Sequence, residues 1–106
     1  MAFKKDDVIM ADFGIDLNGY KTDLTRMFYL GRISNLLRDI TTYVSVSQQK
    51  AIEKIGPGVA VKEVDQAARG YLESQNLAQY FGHSLGHGVG LEIHEAPRLS
   101  SKSDEI

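Results

Sequence analysis

The chain has 106 residues, a formal charge of −2 and 25% charged residues of both signs. That length allows one domain with a modest core, and the balanced charge argues against recruitment to nucleic acid or to a membrane surface. With no cysteine in the chain, disulfides and thiolate metal sites are excluded, so any metal ligands must come from His, Asp and Glu.

The N-terminal MAFKKDDVIMADF lacks the long apolar core of a secretory leader, and no stretch approaches the roughly 18 apolar residues of a membrane span. The expected compartment is the cytosol. Residues 7–13 and 20–29 are rich in apolar and β-prone types and flank Leu17-Asn18-Gly19-Tyr20. Asn18-Gly19 predicts a two-residue hairpin turn, because both central positions of a type I′ turn need positive φ. With that turn, cross-strand partners carry numbers that sum to 37, which pairs Asp12 with Thr25 and Gly14 with Asp23.

Directly opposed residues share a face, as do residues two apart along a strand. Asp12 and Asp23 then become diagonal neighbours, about 7 to 8 Å apart at Cα and within reach of one ion. Two such carboxylates in a shaded site repel unless one takes a proton or a cation lies between them. Gly14, opposite Asp23, is expected to leave room for that cation. Ordinary surface aspartates, helped by Lys21 near Asp16 and by Arg26, are the alternative, and the hairpin alone leaves both readings open.

From Leu36 the apolar period changes to about 3.6. Leu36, Leu37, Ile40, Tyr43, Val44, Ala51, Ile52 and Ile55 form most of one stripe, which Gly56-Pro57-Gly58 stops. Ser34 or Asn35 is positioned to cap its start. A second amphipathic helix is expected over 60–75, with Val61, Val64, Ala67, Ala68, Tyr71 and Leu72 inward and Asn76 near its end. The order hairpin, helix, helix, strand is α+β.

All three histidines then fall within residues 83–94, in HSLGHGVGLEIH. Helix is the wrong form for this stretch, since Gly86, Gly88 and Gly90 would each cost about 1 kcal/mol relative to Ala in a helix interior. In an extended segment His83 and His87 share a face, whereas His94 lies an odd number of residues away and rejoins them only if a glycine bulge or bend re-aims the chain. A lone histidine fits a solvated loop; three interleaved with glycine favour a common site. Aspartates and histidines together suit Mn²⁺, Co²⁺ or Zn²⁺, and a carboxylate such as Asp23 can bridge two ions about 3.5 to 4 Å apart.

DFGIDLNGYKTDLTR and YFGHSLGHGVGLEIHEAPRL together resemble the pita-bread metallopeptidases, the group that contains methionine aminopeptidase, aminopeptidase P, prolidase and creatinase. The TDLTR run and HSLGHGVGLEIHE are most similar to the Xaa-Pro branch, and the resemblance extends from Asp7 to Leu99. It implies that Asp12 binds one metal, Asp23 bridges two and His87 binds the other. It implies that His94 stabilises the scissile carbonyl or its developing oxyanion and that His83 lines the pocket. The implied reaction is hydrolysis of the peptide bond preceding proline by a hydroxide that bridges two divalent ions, Mn²⁺ first and Co²⁺ or Zn²⁺ as alternatives.

The family completes its site with two glutamates beyond the HEAPRL region, and Glu92, Glu95 and Glu105 do not occupy those positions. Residues 1–106 are therefore expected to be part of a catalytic domain whose upstream half and C-terminal strands are absent, inactive alone and prone to self-association. Peptide is the expected partner, with a homodimer as the assembly. Methionine aminopeptidase, creatinase and a non-catalytic binding protein of the same fold are the competing readings.

Overall fold

The computed structural model describes residues 2–106. β1 (Val8–Phe13) pairs antiparallel with β4 (Leu24–Tyr29), and β2 (Asp16–Leu17) pairs with β3 (Tyr20–Lys21) across the turn. Asn18 and Gly19 have φ of 54° and 87°, the signs a type I′ turn requires, and the register runs as expected, Asp12 opposite Thr25 and Leu17 opposite Tyr20.

The expected pairing of Gly14 with Asp23 is where the ladder breaks. Thr22 N–H donates to Ile15 O at 2.9 Å, Ile15 N–H donates to Thr22 Oγ1 at 3.0 Å, and the Thr22 carbonyl oxygen occupies the place of a Cβ on Gly14. The room expected there for a cation is filled by backbone. Gly14 serves close approach of the two chains instead.

α1 (Asn35–Lys54) is capped by Ser34, whose Oγ accepts from Leu37 N–H at 3.1 Å. α2 (Val61–Ser74) follows the Gly56-Pro57-Gly58 break and has no side-chain cap. The C-terminal segment takes that role: Val61 N–H donates to Glu105 O at 2.9 Å, and Lys62 pairs with Asp104 at 2.5 Å. Asn76, at φ 56°, turns the chain out of α2, and Leu77 N–H returns to Leu72 O at 2.8 Å.

The core is small and lies between α1, α2 and the last two strands. Ala51, Val64 and Ala68 are buried, with Val59, Leu85 and Leu99 packed on them. Small side chains at Ser47, Ala51 and Ala68 hold the helices close, so only a narrow strip of α1 is covered. That is why Leu36, Val44, Ile52 and Ile55, placed inward by the period, are exposed. Two polar side chains that periodicity did not assign to the interior are buried: Ser47, and Asp65, which is fully buried and paired with Arg69.

The glycine- and histidine-rich stretch forms a second hairpin, β5 (Gly86–Gly88) against β6 (Glu95–Leu99), where the sequence suggested one strand. Leu85 N–H donates to Leu99 O at 2.9 Å at its base, and both leucines face the helices. The architecture is α+β, as expected.

Candidate metal centre

The two hairpins meet at the site. Their pairing is not continuous, but Lys21 N–H at the end of β3 donates to Gly90 O in the β5–β6 loop at 2.7 Å. This bond sets the Asp23 side of the first hairpin against the histidine side of the second.

Within the second hairpin the register skips: His87 pairs with Arg98, whereas Gly88 pairs with Glu95, so Ala96 and Pro97 are extra residues on β6. The Ala96 carbonyl presses on Gly88 where a Cβ would be, so the bulge can form only against glycine. Because β6 returns antiparallel to β5, residues an odd number apart fall on one face, so the hairpin itself brings His94 to the side of His87 and the two-residue skip draws it closer. Their ring centroids lie 4.3 Å apart with planes at 51°.

Asp23, His87 and His94 form the one group of three ligand-type side chains among the described residues, with one ligand atom of each within 4.8 Å of the others. His87 Nδ1 lies 2.9 Å from Gly88 O. A carbonyl oxygen only accepts, so Nδ1 carries the proton and the lone pair of a neutral ring is on Nε2. That Nε2 faces Asp23 Oδ2 at 3.3 Å. Two electron-rich atoms so placed need a proton or a cation between them.

A first-row divalent ion fits this donor set. Tetrahedral ligands at about 2.1 Å from such an ion stand about 3.4 Å apart, close to the observed separation. The backbone carbonyl on Nδ1 is the kind of partner that orients a metal-binding histidine. His87 and Asp23 keep 29% and 26% of their side-chain surface exposed, so an ion has access.

Asp12 stands outside this group. Its Oδ1 accepts from Thr25 Oγ1 at 2.8 Å, and Thr25 in turn lines the open cleft of about 900 Å³ that His83, His87 and His94 share. His83 therefore faces the same cleft without joining the cluster. Its ring stands edge-on to Phe81 at 4.8 Å, and its Nδ1 donates to Ser84 O at 2.7 Å. Asp16, the other acid of the first hairpin, is committed elsewhere: the Lys21 ammonium at 2.5 Å and the Gly19 N–H hold its carboxyl below the ordinary range.

Sequence reasoning missed Thr25 as the residue that holds Asp12, although Thr25 lies in the TDLTR run that carried the resemblance. It also missed the Lys21–Gly90 contact. Backbone-to-backbone bonds between distant segments leave no side-chain signature to find.

A bent glycine hairpin that presents two imidazoles to a carboxylate on a neighbouring hairpin has the form of a divalent-metal centre. The model of metallopeptidase family M24 matches residues 1–106, and the chain belongs to that family. It is 39% identical over 103 residues to an Xaa-Pro dipeptidase of Pyrococcus furiosus, covering 97% of this chain and 30% of the relative. The solved prolidase of Pyrococcus horikoshii superposes with a TM-score of 0.96 at 36% identity, over 100% of this chain and 30% of that one. A methionine aminopeptidase from Rickettsia prowazekii superposes with a TM-score of 0.79 at 24% identity, over 94% of this chain and 40% of that one, a likeness of fold alone.

The fold is thus that of the pita-bread prolidase and aminopeptidase domains, and membership of a metallopeptidase family implies divalent metal. The chain spans about 30% of the length of the Xaa-Pro dipeptidases it matches. No helix among the described residues is long and apolar enough to cross a membrane.

Proposed function

We propose that these residues are the metal-binding part of a cytosolic, homodimeric Xaa-Pro dipeptidase or aminopeptidase, which hydrolyses the peptide bond preceding proline. The observation that carries this reading is the convergence of Asp23, His87 and His94 in a chain so similar to Xaa-Pro dipeptidases. Asp23 and His87 hold metal, and Asp12, steadied by Thr25, is the ligand for a second ion. The metals are two divalent ions, Mn²⁺ first, with Co²⁺ and Zn²⁺ as alternatives. When bound, such ions polarise the scissile carbonyl and make water nucleophilic at neutral pH.

The protein's own side chains do the rest. His94, one ring away from His87, donates a hydrogen bond to the oxygen on which negative charge develops, an interaction stronger in the transition state than in the ground state. His83 forms part of the wall along which the peptide lies. Exposed Leu36, Val44 and Ile52 on α1 support self-association. The 106 residues alone are expected to bind metal weakly and to hydrolyse nothing measurable, because one incomplete ligand group leaves an ion's remaining positions to water.

Calorimetric titration with Mn²⁺, together with hydrolysis of Xaa-Pro and Met-Ala peptides by the longest natural form of the protein, tests the proposal. Asp23→Ala and His87→Ala should lose metal. His94→Ala should keep it and lose about 10²- to 10³-fold in turnover, the usual effect of removing one oxyanion donor. Equal metal loss in the His87 and His94 variants would contradict the division of roles. Turnover of Met-Ala peptides with none of Xaa-Pro would move the specificity to methionine aminopeptidase.

A further inference from the structure

Arg69 lies outside the metal cluster yet is the most heavily engaged side chain near it. Its Nε and Nη2 donate to Asp65 Oδ2 and Oδ1 at 2.8 and 2.9 Å, and Asp65 is fully buried. Its Nη1 donates to Phe81 O at 2.8 Å and its Nη2 to His83 O at 3.0 Å. The guanidinium also lies 4.3 Å from the centroid of the Phe81 ring, the ring on which His83 stands edge-on.

These contacts have a direction. Asp65 and Arg69 are one turn apart on α2, so their fork is preorganised by the helix. The two carbonyls it grips flank Gly82, a residue with no side chain of its own to fix the backbone. The fork therefore ties down the one glycine between α2 and the histidine segment. His87 has no such brace; its orientation comes from Gly88 O inside β5.

We infer that Arg69, held by Asp65, is a positioning residue for His83: it fixes the backbone on both sides of Gly82 and so sets the His83 ring in the cleft beside His87 and His94. That its target contacts peptide rests on the reading above; that Arg69 orients His83 does not.

Two histidines with the same local geometry give an internal control. Each has Nδ1 on the carbonyl of the next residue, His83 on Ser84 and His87 on Gly88, so each Nδ1 gives the nitrogen resonance pattern of a protonated, carbonyl-bound site. The test uses the whole chain labelled with ¹⁵N-histidine and compares the parent with Arg69→Lys and Arg69→Gln. Lysine keeps the charge beside Asp65 but is a point donor that cannot grip both carbonyls together.

In both variants the His83 pattern should average toward that of a free imidazole while the His87 pattern persists. Amide exchange should rise about tenfold over residues 82–85, with α1 and α2 still protected. An unchanged His83 signature in both variants would overturn the inference. So would simultaneous loss of the His87 signature, since Arg69 would then hold the whole fold and not one ring. Neither outcome depends on whether any peptide is cleaved, so failure of the proposed activity and failure of this inference are separately visible.

Discussion

The two hairpins that build the site are stabilised in opposite ways. The first, β1 to β4, has a register that its turn dictates residue by residue, yet its faces are open: Met10, Phe13, Met27 and Phe28 are all about half exposed or more. Its side-chain tie to the helices is Tyr29, whose hydroxyl donates to Thr41 Oγ1 at 2.7 Å while Thr41 donates onward to Leu37 O. The second hairpin is shorter and irregular, but Leu85 and Leu99 seal it onto Ala51, Val64 and Ala68, and Arg69 grips the segment that leads into it. Regular pairing and tertiary anchorage are therefore separate properties, and the metal cluster spans the join between a well-registered hairpin and a well-anchored one.

Truncation in the core should break this comparison most severely. Leu72 is 6% exposed on α2, and Leu72→Ala is expected to cost about 2 to 5 kcal/mol through lost burial and a residual cavity. Met10→Ala, on the open first hairpin, should stay within about 0.5 kcal/mol. Chemical denaturation of both variants gives the answer; similar losses would mean that β1 is covered in solution by something that packs as tightly as the core.

A finer contrast uses two glycines that meet carbonyls in the same manner. A Cβ on Gly88 would strike Ala96 O, and one on Gly14 would strike Thr22 O. The second hairpin is sealed and cannot give way, so Gly88→Ala should lower global stability by about 1 to 3 kcal/mol, as overpacking does, and separate His87 from His94. The first hairpin is open and should flex, so Gly14→Ala should leave the denaturation midpoint nearly unchanged while shifting Asp23 and weakening Mn²⁺ binding. Equal stability losses would show that the first hairpin is as firmly held as the second.

This difference also explains what was legible in the sequence. Asn18-Gly19 encodes a turn, and a turn fixes a register, so the placement of Asp12 opposite Thr25 could be read directly. Ser34 and the Gly-Pro-Gly stop marked α1 for the same reason, that local chemistry decides them. The spacing of the histidines called for a glycine bulge or bend, whereas a return strand, β6, unites them and the extra residues are Ala96 and Pro97 opposite Gly88; Ala96-Pro97 reads as a strand breaker until it is seen as the bulged segment. Asp65 was illegible for the opposite reason. An aspartate in a helix reads as solvated, and only the position of Arg69 one turn later, together with the Phe81 and His83 carbonyls brought in from far along the chain, makes its burial tolerable.

The smallest expected effects set an exposed ion pair of the first hairpin, Lys21–Asp16, beside the one that ties the C-terminal segment to α2, Lys62–Asp104. Asp104 lies beside the Lys62 ammonium, which holds its carboxyl below the ordinary 3.8, while Asp104 raises Lys62 above its ordinary 10.5. The carboxylate contribution is present above pH 3.8 and disappears as pH falls through the lowered folded value. The ammonium contribution is present below pH 10.5 and disappears as pH rises through the raised one. The tie should therefore hold the C-terminal segment on the start of α2 throughout the neutral range and release it only at the two extremes. Asp16, lowered chiefly by Lys21, follows the same acid limb within its own hairpin. Both carboxylates are exposed and screened, so the midpoint of global unfolding should barely move. The difference between them is in what each releases. Asp104→Asn should speed exchange of the Val61 amide, which depends on Glu105 O for its partner, whereas Asp16→Asn should disturb only the Asn18-Gly19 turn. If the Val61 amide exchanges at the same rate in Asp104→Asn, in about 1 M salt and in the parent, then the backbone bond to Glu105 alone holds the segment and the ion pair contributes nothing to it.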